Sequence, residues 1–171
     1  MAKYGAKYVF WNRDTQTVIS SEYANKLRRG KQNKLPEYIR RFDSQHEFKV
    51  YLELARIYGY QRVRTQVAIS ILPPGICFPR GKSWRIDFAV TEFGDDYEYC
   101  VYVEAKGLIT REFAYTLACL EAHKPLIFNN LVLVFPKAIP TENSIIKNLS
   151  KSYLSNRLIT LKQLKNRTKP L

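Results

Sequence analysis

Apolar residues recur along this chain with two different periods, and the changes of period mark out its elements. Between Lys7 and Ser20, apolar and polar residues alternate around Asn12-Arg13-Asp14, which predicts a short hairpin. Ser21 to Arg29 predicts a short basic helix stopped by Gly30, and Lys31 to Pro36 a polar linker. From Asp43 the period lengthens. Phe48, Tyr51, Leu52, Ala55 and Tyr58 fall at three- and four-residue steps and Gly59 ends the run, so a helix is predicted to Tyr58. Val63 to Leu72, Trp84 to Thr91 and Tyr99 to Lys106 read as strands. Pro73-Pro74-Gly75 closes the first, and the acidic turn Gly94-Asp95-Asp96 makes the other two antiparallel neighbours. Thr110 to His123 is a helix ended before Pro125, and Leu131 to Phe135 is a wholly apolar strand, as expected where both sheet faces are covered. Thr141 to Asn156 predicts a further helix. The order helix, three strands, helix, strand, helix is an α/β architecture, a mixed central sheet flanked by helices.

Charge refines this picture. The 171 residues suffice for one compact domain with a real core, and 46% hydrophobic content excludes a disordered polybasic tail as the whole chain. The formal net charge is +13, and its placement is uneven. Residues 1–41 hold ten basic and three acidic side chains, residues 147–171 hold seven basic and none acidic, and residues 42–146 are close to neutral. A near-neutral core between a basic N-terminal extension (hairpin plus short helix) and a basic C-terminal helix and tail suggests a polyanionic partner, most simply nucleic acid. A merely soluble basic protein is the plainer alternative. No apolar run approaches the roughly 20 residues of a membrane helix. Met1-Ala-Lys-Tyr-Gly lacks the apolar stretch of a secretory signal. Cys77, Cys100 and Cys119 are odd in number and far apart, so they read as reduced thiols of a cytoplasmic protein. With only His46 and His123, a multi-histidine metal site is excluded.

The residues with chemical content are Glu47, Asp87, Glu104 and Lys106. Along the third strand Cys100, Tyr102, Glu104 and Lys106 share one side, while Val101, Val103 and Ala105 share the other. An acid and a lysine thus project together from the end of an apolar strand. Asp87, between Ile86 and Phe88, lies on the adjacent strand. Two carboxylates brought together by strand pairing repel unless a positive group lies between them. Mg²⁺ suits such a pair, being held by one or two carboxylates plus waters and phosphate oxygens. Glu47 is a third acid: Val50, Tyr51, Leu54 and Tyr58 lie on its helical face, so its carboxylate points along the apolar stripe. Ser44-Gln45-His46-Glu47 is also a capping box, and the two roles are compatible. A lone acid-x-Lys triplet is weak, since Glu47-Phe48-Lys49 is a second one. Its placement on a strand that follows the Asp87 strand and precedes a helix makes the set more specific.

The ordered set Glu47, Ile86-Asp87 and Glu104-Ala105-Lys106 resembles the PD-(D/E)XK nuclease superfamily. Phe42-Asp43-Ser44-Gln45-His46-Glu47 and Val103-Glu104-Ala105-Lys106-Gly107, followed by Thr110-Arg111-Glu112-Phe113, are similar to small phage-type and resolvase-like members. The resemblance covers about residues 42–136 and departs at Ile86, where the family name has proline. It implies a restriction-endonuclease-like core, within residues 42–146. It implies Mg²⁺, with Mn²⁺ as a substitute, bound by Asp87 and Glu104, by the Ala105 carbonyl, and by Glu47 directly or through water. It also implies that Lys106 orients the attacking water in phosphodiester hydrolysis, and that Gln66 stands beside the metal site.

For substrate contact, Lys26, Arg28, Arg29, Lys31, Lys34, Arg40 and Arg41 crowd one stretch opposed only by Glu37, and Arg80, Lys82 and Arg85 lie just ahead of Asp87. Lys162, Lys165, Arg167 and Lys169 read as a flexible arm. The expectation is a Mg²⁺-dependent DNA endonuclease, cytoplasmic and encoded by a bacterium or phage, working as a homodimer or higher homo-oligomer so that two sites meet two strands. It is either of the junction-resolving, phage type or a site-specific homing or restriction enzyme. The alternatives are a non-catalytic nucleic-acid-binding protein on the same fold and a transposase-associated nuclease subunit.

Overall fold

The computed structural model describes residues 7–28, 34–93, 98–151 and 155–171. It divides into two compact units, up to Lys49 and from Val50 onward. The first holds β1 (Val9–Asn12), β2 (Thr17–Ile19), α1 (Ser21–Lys26) and β3 (Ile39–Phe42), its strands forming an antiparallel sheet ordered β2-β1-β3. The predicted hairpin is β1–β2. Asn12 makes its turn, its Oδ1 accepting the amides of Asp14 and Thr15 at 3.0 and 3.2 Å. α1 is capped by Ser20, whose hydroxyl accepts the Tyr23 amide at 3.1 Å, and it ends three residues before the predicted Arg29. Gly30, the proposed stop, lies outside the described residues. β3 was not foreseen: Arg40 and Arg41 sit between its two buried residues, Ile39 and Phe42, and break the period-two pattern. Phe10, Ala24 and Ile39 form one small core, and the rings of Trp11 and Phe42 lie 5.4 and 5.3 Å from that of Phe48.

α2 (Gln45–Tyr58) runs across the boundary between the units. The second unit continues with β4 (Val63–Leu72), β5 (Lys82–Phe93), β6 (Glu98–Ala105), α3 (Arg111–His123), α4 (Pro125–Asn129), β7 (Leu131–Phe135), α5 (Ser144–Lys151), β8 (Leu158–Thr160) and α6 (Leu161–Lys165). Its sheet runs β4-β5-β6-β7-β8, antiparallel through β6 and parallel from β6 to β8. The mixed α/β class read from the sequence is therefore observed, as a mixed five-stranded sheet with helices in the second unit and a three-stranded sheet in the first. The turn residues Gly94, Asp95 and Asp96 lie outside the described residues. β7 is buried at all five positions. Phe113, Leu117 and Leu120 of α3, Phe128 of α4 and Ile146 of α5 form one core with Leu131, Leu133 and Phe135. Burying each such side chain stabilises by roughly 1.5–3 kcal/mol.

Residues 155–171 form elements packed on the second unit rather than an arm. β8 forms the sheet edge, Thr160 and Gln163 close a capping box at α6, and Arg56 of α2 donates to the carbonyls of Lys165 and Arg167 at 3.0 and 3.1 Å. The Leu171 amide donates to the Tyr58 hydroxyl at 2.5 Å. Three-residue strands are too short to show a period, so β8 had no legible signal. Among the described residues no helix is long and apolar enough to cross a membrane.

Candidate active site

The site forms where one strand pairing stops. β5 and β6 pair from Phe93↔Glu98 down to Phe88↔Val103, and the next positions in register are Asp87 and Glu104. There the side chains take over from the backbone. The Asp87 amide donates to Glu104 Oε2 at 3.3 Å, and the Ala105 amide donates to Asp87 Oδ2 at 2.9 Å. β6 meanwhile stays paired with β7 to Ala105↔Val134, and the Lys106 amide donates to the Val134 carbonyl at 2.8 Å. β5 pairs with β4 on either side of Asp87, at Thr65↔Phe88 and from Val67↔Ile86 on to Leu72↔Lys82. Each strand is thus held from its outer side at the fork that carries the two acids.

Packing changes at the same point. Trp84 and Ile86 pack with the α3 core, the Trp84 ring 5.9 Å from that of Phe113, whereas Phe88 stacks on Tyr51 of α2 at 6.3 Å. Asp87 lies where β5 passes from one helix to the other. Gln66 lies on β4 between the pairs Thr65↔Phe88 and Val67↔Ile86, at the position the register skips opposite Asp87, and has φ of 53°, a left-handed backbone inside a strand. For a residue other than glycine this costs about 1–2 kcal/mol. Its amide Nε2 approaches Asp87 Oδ1 at 3.4 Å.

Glu104 is 5% exposed, and its Oε1 pairs with Lys106 Nζ at 2.9 Å. Lys106 Nζ in turn sits 3.8 Å over the Phe113 ring, a cation–π contact that holds the amine at the fork. Phe113 is not among the site residues read from the sequence, although it ends the Thr110-Arg111-Glu112-Phe113 stretch; it lies three after the helix cap Thr110, whose hydroxyl accepts the Phe113 amide at 3.2 Å. Two acids thus face one lysine, with Glu104 buried and Asp87 and Lys106 half-buried. Burial pushes the Tyr102 hydroxyl, on the same side of β6, up from its ordinary value, so it stays neutral and offers no anionic ligand.

Glu47 is 3% exposed and caps α2: its amide donates to Ser44 Oγ at 3.0 Å, and its Oε2 accepts the Asp43 amide at 2.7 Å. Among the described residues no three His, Cys, Asp or Glu side chains form a metal-holding group. The carboxylates that do come together are those of Asp87 and Glu104. Two hard oxygen donors with a lysine suit Mg²⁺, which keeps most of its ligands as water or phosphate.

The candidate phosphate contacts fall in both units. Lys26 ends α1, Lys34 is exposed, and Arg28 donates to Asn25 Oδ1 at 3.1 Å. Arg40 and Arg41 lie on β3, with Arg41 3.1 Å from Asp43 and 4.9 Å over the Tyr8 ring. Arg29 and Lys31 lie outside the described residues. Arg80 and Arg85 are exposed, and Lys82 opens β5. Comparison with protein-family models, curated proteins and solved structures finds no match.

Proposed function

We propose that this chain is a Mg²⁺-dependent DNA endonuclease with a restriction-endonuclease-like core of the PD-(D/E)XK kind. The observation that carries the reading is the fork, where Asp87, Glu104 and Lys106 converge and side chains replace the backbone ladder. Asp87, Glu104 and the Ala105 carbonyl would hold the ion; Mn²⁺ would substitute. When bound, the ion supplies charge to offset a phosphodiester oxygen and lowers the pKa of a water. Lys106, fixed by Glu104 and the Phe113 ring, holds a positive charge where the phosphate enters and orients the attacking water. Gln66 steadies Oδ1 of Asp87. Glu47 fixes the start of α2. The basic residues bind duplex phosphates.

The same backbone bonds of the two acids favour a second reading, a nucleic-acid-binding protein whose acids end a strand pairing. Cleavage separates the two. With Mg²⁺, linear duplex, single strand, four-way junction and RNA are incubated with the chain and with Asp87→Ala and Lys106→Ala. The expected result is DNA cleavage lost by about 10³-fold or more in both variants, with duplex affinity nearly intact. Cleavage surviving both changes defeats the nuclease reading.

A further inference from the structure

The loop between β4 and β5, residues 73–81, presents an apolar side chain on a rigid base. Ile76 is 100% exposed at its tip and Phe78 is 40% exposed. Pro73, Pro74 and Pro79 fix their backbone φ angles. The Phe78 carbonyl accepts two amides, those of Gly75 and Gly81, at 2.9 and 2.8 Å. Gly81 has φ of 69°, and a Cβ there would lie 2.6 Å from the Leu72 carbonyl oxygen, so only glycine closes the loop in this way. The tip is therefore held out into solvent by its own turn.

The loop is joined to the fork by a row of cations and rings. Lys82 Nζ lies 6.0 Å over the Phe78 ring and 4.6 Å over the Tyr115 ring of α3. Two residues along β5, Trp84 packs on Phe113, which carries Lys106. Arg80, in the same loop, is exposed. From Lys82 to Asp87 is five residues of strand, roughly 17 Å, which is about five nucleotides of one DNA strand.

We infer that this loop is a wedge that inserts Ile76 between stacked base pairs of duplex DNA, roughly five or more base steps from the phosphate held at the acids. The inference rests on the nucleic-acid reading above and extends it to how the duplex is deformed. Proteins that kink DNA insert side chains of this type, Ile and Phe among them, flanked by cations on the phosphates. An anionic membrane would also take an apolar tip with cations. The continuous row from tip to fork favours DNA, because it would set the deformed step and the scissile phosphate on one duplex.

Affinity of the full chain is measured without divalent cation for a fully paired duplex and for the same duplex with a central mismatch, whose bases unstack more cheaply. The wild-type chain is expected to bind the mismatched duplex about tenfold more tightly. Ile76→Ala, a change at a fully exposed position, binds both duplexes alike; Lys82→Ala weakens both and keeps the preference. A wild-type chain without preference, or Ile76→Ala with it, overturns the wedge. So does Ile76-dependent binding to phosphatidylserine–phosphatidylcholine vesicles with duplex binding indifferent to Ile76. Cleavage with Mg²⁺ on the same duplexes separates the two ideas: the preference without cleavage keeps the wedge and defeats the nuclease, and cleavage without the preference defeats the wedge alone.

Discussion

Glu47 and Glu104 are both buried, at 3% and 5% exposure, yet they meet the cost of burial by different means. Glu47 bonds at the start of its own helix: the Asp43 amide reaches its carboxylate, and Ser44 takes its amide. Such a cap is local and contributes about 1 kcal/mol. Glu104 stands next in register to a second carboxylate, takes the Asp87 amide that a strand ladder would otherwise use, and leans on Lys106. A carboxylate beside a carboxylate is an unfavourable way to end a strand pairing, since neutral residues would continue the ladder without repulsion. A buried acid is thus ordinary where a helix start consumes it. It points to chemistry where it is placed against another acid.

The largest expected effect tests that contrast directly. Asp87→Asn keeps an oxygen for the Ala105 amide and removes one negative charge. Cleavage should fall by about 10³-fold while chemical denaturation shows stability unchanged or raised by about 1 kcal/mol. A loss of stability with no loss of an activity would make the pair structural and erase the difference from Glu47. Glu47→Ala should do the reverse, costing about 1 kcal/mol of stability and only a few-fold in cleavage by the folded fraction. If Glu47→Gln, with stability intact, loses as much cleavage as Asp87→Asn, then Glu47 belongs with the fork.

A smaller effect is expected at Gln66. Gln66→Gly relieves the left-handed backbone and should raise stability by about 0.5–1 kcal/mol, the glycine's own entropy cost offsetting part of the gain. Cleavage should drop about tenfold because Asp87 Oδ1 loses its neighbour, about the worth of one hydrogen bond to a charged group. Unchanged cleavage would show that the strain serves the strand alone. The smallest effect concerns Tyr102. Burial raises its hydroxyl above the ordinary 10.0, so below that pH folded and unfolded chains are both neutral there and stability does not respond. As pH climbs past 10.0 the unfolded chain releases the proton first and stability falls; phenolate absorbance of a Tyr102→Phe comparison reads this out.

Periodicity made the long elements legible. α2, β4, β5, β6, α3 and β7 were each visible in the chain, with β4 and β7 at the boundaries observed, because each repeats a burial pattern often enough to be seen. β3, β8, α4 and α6 were not. Two arginines between Ile39 and Phe42, or three residues of Leu158–Thr160, carry too little pattern, and those segments became strands because neighbouring strands offered them partners. The basic C-terminal residues read as a free arm for the same reason. Their attachment depends on Arg56 and Tyr58, more than a hundred positions away.

By itself the sequence determined the alternation that sets Glu104 and Lys106 on one side of an apolar strand and Asp87 on the strand before it. Side-chain direction in a strand follows from local geometry, so no tertiary information was needed. Only the tertiary structure decided that the β5–β6 ladder stops at those acids, that Gln66 is twisted opposite Asp87, and that a phenylalanine of α3 lies under the lysine. Those are relations between residues 17 to 21 positions apart or on separate elements. Register, twist and packing fix them, and none of these is written in the period of any one segment.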